Sequence, residues 1–316
     1  MLSVSRLRLL VELHRRGTLA QVAEALSYTP SAVSQQLSLL EREAGVPLLE
    51  RVGRGVRLTG AAVTLVAHAE AVLTQLELAE SDLAAVQSTV GGALRVASFQ
   101  TVVFAIIPQV LDLLAARHPD LHVDFSQLQV DEAYDGLHSQ RFDVILGEEY
   151  PGLPEPIRPG IDRSDLVNDP LRIALPLSGR WAARPVTLAE LADAPWAMDP
   201  AHSATGTWAR GVCRTAGFEP WVRFESPDPL MHSHLVRGGH AVAFIPALIA
   251  AAVAGVAFGG LPGDPERILY TAVRAGRAGH PAVGAFRLAL AEATTTLATS
   301  QPSWAISGSA RRSGRV

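Results

Sequence analysis

The chain has 316 residues, 48% of them apolar and 18% charged, with a net charge of −4. That length suits two or three domains and that apolar share is ample for buried cores, while the net acidity excludes a protein that coats nucleic acid by bulk charge. The charge is unevenly spread: residues 1–60 hold eight Arg against five Glu, and residues 61–90 hold four acids and no Lys or Arg. A basic module at one end is what a chain that touches a polyanion through a single domain would show. Cys213 is the one cysteine, which excludes an intramolecular disulfide and a CxxC metal site. No charged n-region and apolar h-region precede the first helical pattern, so no signal peptide is expected. The most apolar stretch, Ala241 to Gly259, is interrupted by Pro246 and Gly255. It reads as strand, helix and strand, not as a membrane span. A cytoplasmic protein with no membrane partner is expected.

Val4 to Arg16 predicts a first helix, with Leu7, Leu10 and Val11 on one face and Gly17 as its stop. Thr18 to Ala44 then reads as two short helices joined by a tight turn. Thr18 with Gln21 three residues later is a capping box. Ser27-Tyr28 turns the chain. Thr29-Pro30 opens the next helix, Thr as N-cap and Pro where its missing N–H is not needed. Val33, Leu37, Leu40 and Ala44 share its inward face. Ser31, Gln35, Ser38 and Arg42 point the opposite way, with Ser34 on the flank. That small, polar outer face suits the floor of a DNA major groove, although an ordinary solvated helical pair would show the same pattern. Gly45-Val46-Pro47 stops the helix. Residues 48–52 and 56–58 read as strands around a Gly53-Arg54-Gly55 turn, so Arg51, Arg54 and Arg57 cluster on a small β wing placed for phosphate contact.

The stretch GTLAQVAEALSYTPSAVSQQLSLLEREAGVPLLERVGRGVRLT resembles the winged helix-turn-helix of the LysR-type transcriptional regulators. The layout of the chain to about Leu297 is similar to that family as well. The resemblance implies that the segment Thr29 to Gln35 enters the groove, with Thr29, Pro30, Ser31, Ser34, Gln35 and Ser38 at the DNA and Arg51, Arg54 and Arg57 on phosphates. The family pattern has Gln-Pro at the helix start and Ser-Arg further on, where this chain has Thr29-Pro30 and Ser34-Gln35.

Thr59 caps a predicted long helix running to about Gln87. Leu65, Ala69, Val72, Leu76, Ala79, Leu83, Val86 and Val90 alternate steps of four and three, a heptad pattern. Packing on its own domain would use such a stripe. The regularity favours self-association, and the family resemblance implies a dimer linker, with Leu65, Val72, Leu76 and Leu83 in the seam. A homodimer, or a dimer of dimers, is the expected assembly, its paired winged helices matching two half-sites on double-stranded promoter DNA.

Beyond a hinge of small residues at Ser88 to Gly92, strands and helices alternate, which implies an α/β fold with sheets covered on both faces. The expected organisation is residues 1–60 as the winged helix-turn-helix, 61–90 as the linker helix and 91–300 as a two-lobed α/β effector domain resembling periplasmic solute-binding proteins. Lobe I takes 91–164 and 268–300, lobe II takes 165–267, and 301–316 is expected to be a disordered tail.

The candidate effector site lies between the lobes. Ser98, Gln100 and Thr101 stand where a strand ends and a helix begins, and Asp199 and His202 occupy the matching place in lobe II. Such helix starts collect free amides, although plain capping uses the same residues. A carboxylate or amino acid bridging them is the expected effector. Asp131, Glu148 and Glu149 complete a rim whose acids would instead favour a cation. His232 and His234 diverge on a helix and lack a third ligand, so no metal is expected. Cys213 lacks a nucleophile elbow and no Walker-type loop is present, so neither catalysis nor a cofactor is expected. The rival readings are a ligand-free interaction scaffold, or a degenerate enzyme domain fused to the DNA reader.

Overall fold

The computed structural model describes residues 1–300 apart from 54, 88, 183–186 and 251. Arg54 and the expected tail at 301–316 therefore lie outside the described residues. Helices α1 (Val4–Arg16), α2 (Leu19–Leu26) and α3 (Pro30–Ala44) are followed by a hairpin of β1 (Leu49–Val52) and β2 (Gly55–Leu58). Leu10, Val22, Val33, Leu37, Leu40 and Leu48 form their shared, solvent-free core. Thr18 Oγ1 accepts from the Gln21 N–H at 3.3 Å and Thr29 Oγ1 from that of Ala32 at 3.2 Å, so both predicted caps form. The Gln21 side-chain oxygen accepts from the Thr18 hydroxyl at 2.7 Å, a variation on the reciprocal box. Ser27 makes the turn in the left-handed region at φ 57°. Glu41 Oε1 accepts from the N–H groups of both Leu48 and Leu49 at 2.9 Å, which ties the hairpin to the end of α3.

Helix α4 (Gly60–Ala85) starts at Thr59, whose Oγ1 accepts from the Ala62 N–H at 3.2 Å. Its 26 residues make a rod of about 39 Å. The predicted seam divides. Ala69 is buried in the N-terminal core and Leu65 packs against it, because this end of α4 lies along α1. Val72, Leu76 and Leu83 are uncovered, at 42%, 43% and 70% exposure. By length and composition α4 is apolar enough to cross a membrane, but Ala62, Val66, Ala69, Glu77 and Ser81 are buried within the chain.

The remainder is an α/β domain around one mixed sheet. Its elements are β3 (Gly92–Ser98), α5 (Gln100–Ala105), α6 (Ile107–Arg117), β4 (Leu121–Gln127), α7 (Val130–His138), β5 (Val144–Glu149) and β6 (Ile161–Pro176). Then follow β7 (Pro195–Met198), α8 (Ala204–Thr215), β8 (Trp221–Glu225), α9 (Pro229–Arg237), β9 (Val242–Pro246), α10 (Ala247–Ala250), β10 (Val256–Gly259), β11 (Glu266–Arg274) and α11 (Pro281–Ser300). The strand order is β4-β3-β5-β11-β6-β9-β7-β8, with β10 beside β6. The single helix expected over Thr101 to Arg117 is broken at Ile106, because Pro108 cannot donate into the preceding turn.

Two long strands join the lobes. Residues 161–170 of β6 pair with β11, and Leu171 to Ala174 then pair with β9. The crossing thus falls at Pro170-Leu171, a few residues beyond the expected lobe boundary at 164–165. Helix α11 returns to lobe I, where Val283, Phe286 and Leu290 join Leu94, Val96 and Val110 in one core. Trp196, Trp208, Leu171 and Ile173 fill the core of lobe II.

Candidate DNA-binding and effector-binding sites

The outer face of α3 is open. Thr29, Pro30, Ser31, Ser34, Gln35, Ser38 and Arg42 are all exposed, while Val33, Leu37 and Leu40 opposite are buried. The Thr29 and Ser31 hydroxyls stand 3.0 Å apart at its start. Arg51 and Arg57 are exposed on the hairpin beside it. Glu50 stands opposite Arg57 in the register and accepts from its Nε at 2.7 Å, which offsets part of that charge.

Between the lobes lies a narrow cleft lined by Gln100, Thr101, Glu148, Tyr150, Asp199, Thr205, Trp208, Phe244 and Arg267, among others. Its free volume of about 40 Å³ is room for a few waters. Arg267, 2% exposed, is its centre. Nε and Nη2 donate to Asp169 Oδ2 at 2.9 and 2.7 Å, Nη2 donates to Thr101 Oγ1 at 2.9 Å, and Nη1 pairs with Glu148. Burial works against the guanidinium, but Asp169 and Glu148 outweigh it and hold the group charged. The Tyr150 hydroxyl donates to Glu148 Oε2 at 3.2 Å, and Thr205 Oγ1 lies 3.1 Å from that hydroxyl. The Tyr150 ring lies 5.5 Å from Trp208, which lies 5.3 Å from Phe244. Asp199 stands at the end of β7, where burial, and then Glu148, push its carboxyl up to about 7. Gly206 lets the preceding loop lie against α8: a Cβ there would lie 2.0 Å from the Pro200 carbonyl oxygen.

Of the expected effector residues, Gln100, Thr101, Glu148 and Asp199 meet in this cleft. Four do not reach it, among them Glu149, which pairs with Arg163 at 2.5 Å. Ser98 is fully buried as the last residue of β3, its hydroxyl donates to the Phe99 carbonyl at 3.3 Å, and the N-cap position of α5 falls to Phe99 instead. The side chain of Asp131 is 97% exposed and faces Arg158 at 3.9 Å. His202 is exposed on the loop before α8, whose N-cap is Ser203, not His202. Sequence reasoning missed Arg267, Asp169, Tyr150, Thr205 and the aromatic wall. The signal available was the position of Arg267 at the expected boundary between lobe II and lobe I, where an arginine is well placed to face a cleft. His232 Nε2 bonds the Ser226 carbonyl at 2.8 Å and His234 Nδ1 faces Arg237 at 2.8 Å, so the two rings serve separate partners.

Comparison with known proteins agrees with both halves of this architecture. Residues 4–63 match the family model for bacterial regulatory helix-turn-helix proteins of the lysR family, and residues 87–295 match the LysR substrate binding domain. A probable hydrogen peroxide-inducible genes activator from Streptomyces viridosporus is 30% identical over 216 residues, which is 68% of this chain and 68% of that protein. The HTH-type transcriptional regulator ClcR of Pseudomonas putida is 26% identical over 248 residues, 78% of this chain and 83% of that protein. Among solved structures, a full-length OxyR variant from Pseudomonas aeruginosa superposes with a TM-score of 0.64 at 19% identity, covering 92% of this chain and 95% of that one. Full-length CbnR in complex with its target DNA gives 0.52 at 23% identity, covering 92% and 99%. With an N-terminal helix-turn-helix domain, a linker helix and a two-lobed C-terminal domain, the chain belongs to the LysR family of DNA-binding transcriptional regulators.

Proposed function

We propose that this regulator binds promoter DNA as a homodimer, or a dimer of dimers, with α3 in the major groove and Arg51, Arg54 and Arg57 on the flanking phosphates. A small molecule between the lobes changes the spacing of the two winged domains. The observation that carries the effector half is the cleft itself: Thr101 and Glu148 of lobe I face Asp199, Thr205 and Trp208 of lobe II, so one ligand would touch both lobes at once. A ligand with contacts to both lobes only in the closed state favours that state. The uncovered Val72, Leu76 and Leu83 support pairing through α4.

Cys213 favours a regulator over a thiol enzyme or a peroxide-sensing thiol. It is fully buried in α8, and burial pushes its thiol up to about 12, so it carries no thiolate near neutrality. With no second cysteine it has no intramolecular partner.

A thermal-shift screen of metabolites, followed by footprinting with each hit, tests the effector half. A true effector at a hundredfold excess over its dissociation constant stabilises the fold by about 2.7 kcal/mol. It alters the footprint, and it fails on Thr205→Phe, which fills the cleft. Hits that ignore Thr205→Phe would place the effector elsewhere; an absence of hits would favour the scaffold reading.

A further inference from the structure

The charge of the cleft bears on the class of effector. Its lining holds one basic side chain among the described residues, Arg267, and that guanidinium is already engaged by Asp169, Glu148 and Thr101. An incoming carboxylate would find no open fork there, and would stand beside Glu148 and Asp199. The uncommitted groups are acceptors. Gln100 Oε1 is buried with no hydrogen-bond partner. Glu148 Oε2 takes Arg267 and Tyr150, which leaves Oε1 with a 3.5 Å contact from Thr205. Asp199 meets Arg210 through its main-chain carbonyl at 2.9 Å, and its carboxylate accepts from its own backbone N–H, which leaves it with lone pairs to spare. A buried acceptor left unpaired is unfavourable until a donor arrives. Tyr150, Trp208 and Phe244 supply an adjoining aromatic wall, a surface that attracts cations and apolar groups alike.

We propose that the effector carries a protonated amine or guanidine, held by Asp199, Glu148 and the Gln100 carbonyl, with an apolar body against Tyr150, Trp208 and Phe244, and that the lobes part to admit it, since the cleft as it stands holds about 40 Å³. This rests on the cleft being the effector site. It reverses the sign expected from two helix starts, since Ser98 and His202 do not reach the cleft. The cation gains most when Asp199 is ionised. Asp199 is faced by Glu148 on β5, Arg267 on β11 and Arg210 on α8, the last paired with Glu225 at 3.2 Å. Glu148 and burial resist its ionisation, the two arginines assist it, and a ligand ammonium would add to the arginines.

The test uses the full chain and three probes that share a body and differ in charge: 2-phenylethylamine, 3-phenylpropionate and 2-phenylethanol, with agmatine as a guanidine. Calorimetric titration and thermal shift are read at each pH. The amine and agmatine bind, and the acid and alcohol do not. Cation affinity rises about tenfold between about pH 6 and pH 8, as Asp199 passes from mostly protonated to mostly ionised. Asp199→Asn weakens cation binding at least about tenfold and abolishes that pH dependence, while the ligand-free protein still melts cooperatively, at or above the parent's temperature. Binding of the acid alone, lost on Thr205→Phe, would overturn the charge assignment and leave the cleft as the site. Cation binding indifferent to both Asp199→Asn and Thr205→Phe would overturn the proposal and the cleft reading together. No binding of any probe at about 10 mM, beyond the weakest specific affinities, would overturn the proposal alone.

Discussion

Glu77 on the linker helix and Arg274 at the end of β11 form an ion pair whose side chains are 11% and 12% exposed, fastening α4 to lobe I of its own chain. Beside it, the Ser81 hydroxyl donates to the Gly276 carbonyl at 2.9 Å. Gly276 is backed so closely onto α4 that a Cβ there would lie 2.6 Å from the Cβ of Glu77. Arg274 also donates to the carbonyls of Leu137 and Phe142 at 2.7 and 2.8 Å, so the clamp continues into α7 and the turn after it. The linker and the first lobe are thereby held together, so under the proposed function this contact is the route from the lobes to the DNA-binding domains.

Breaking the clamp gives the first prediction. Glu77→Ala should lower stability by about 2 kcal/mol. That is below the ~3–5 kcal/mol of a fully isolated buried charge, because Arg274 keeps its two carbonyls. Hydrogen exchange at residues 80–85, in the last turns of α4, should quicken as the helix end loosens. Gly276→Ala should destabilise by about 1–3 kcal/mol through crowding against the helix backbone. Chemical denaturation of each variant checks both values.

DNA binding should separate into two kinds of contact. Arg51→Ala should weaken binding to specific and random duplex alike, and reduce the slope of log affinity against log salt by about one unit for each wing that touches phosphate. Gln35→Ala should lose discrimination between sites with the slope nearly intact. Anisotropy titrations over a range of salt distinguish the two.

The exposed end of the linker should govern assembly. Leu76 is 43% exposed in the single chain. Leu76→Asp would place a charge in the proposed apolar seam, which is unfavourable unless paired. Sedimentation should show this variant dissociated at concentrations where the parent is dimeric.

Asp199 should leave a mark on stability against pH. Its folded pKa of about 7 lies above the ordinary 3.8, so between those values the folded state holds the extra proton. The contribution of this group to stability is therefore full at low pH, falls as pH rises from about 4 to about 7, and is flat above. The melting temperature of Asp199→Asn minus that of the parent should grow across this window and level off beyond it.

The N-terminal domain was legible in the sequence because its signals are local. Thr18, Thr29 and Thr59 each cap the helix that follows them, and the buried stripe of α3 repeats at helical spacing. The alternation of strands and helices likewise announced two α/β lobes. The cleft was only partly legible. Gln100, Thr101, Glu148 and Asp199 lie at strand ends, which local patterns mark. Arg267 and Asp169 meet across 98 residues of chain, and their pairing depends on the register of β11 against β6. No local pattern encodes that register, and with it went the sign of the cleft. The heptad on α4 was visible, but not that its first turns are spent on α1, since Leu65 and Leu76 carry the same side chain into different surroundings.

The most direct test of the account is selection of binding sites from a random duplex library by the full-length protein, repeated with Gln35→Ala. The selected sites should be two-fold symmetric, with half-sites one or more helical turns apart, centre to centre at multiples of about 34 Å. Gln35→Ala, folded and dimeric, should enrich no such site. Enrichment of the same symmetric site by both proteins, or of none by the parent, would contradict the assignment of α3 as the reading helix of a dimeric regulator.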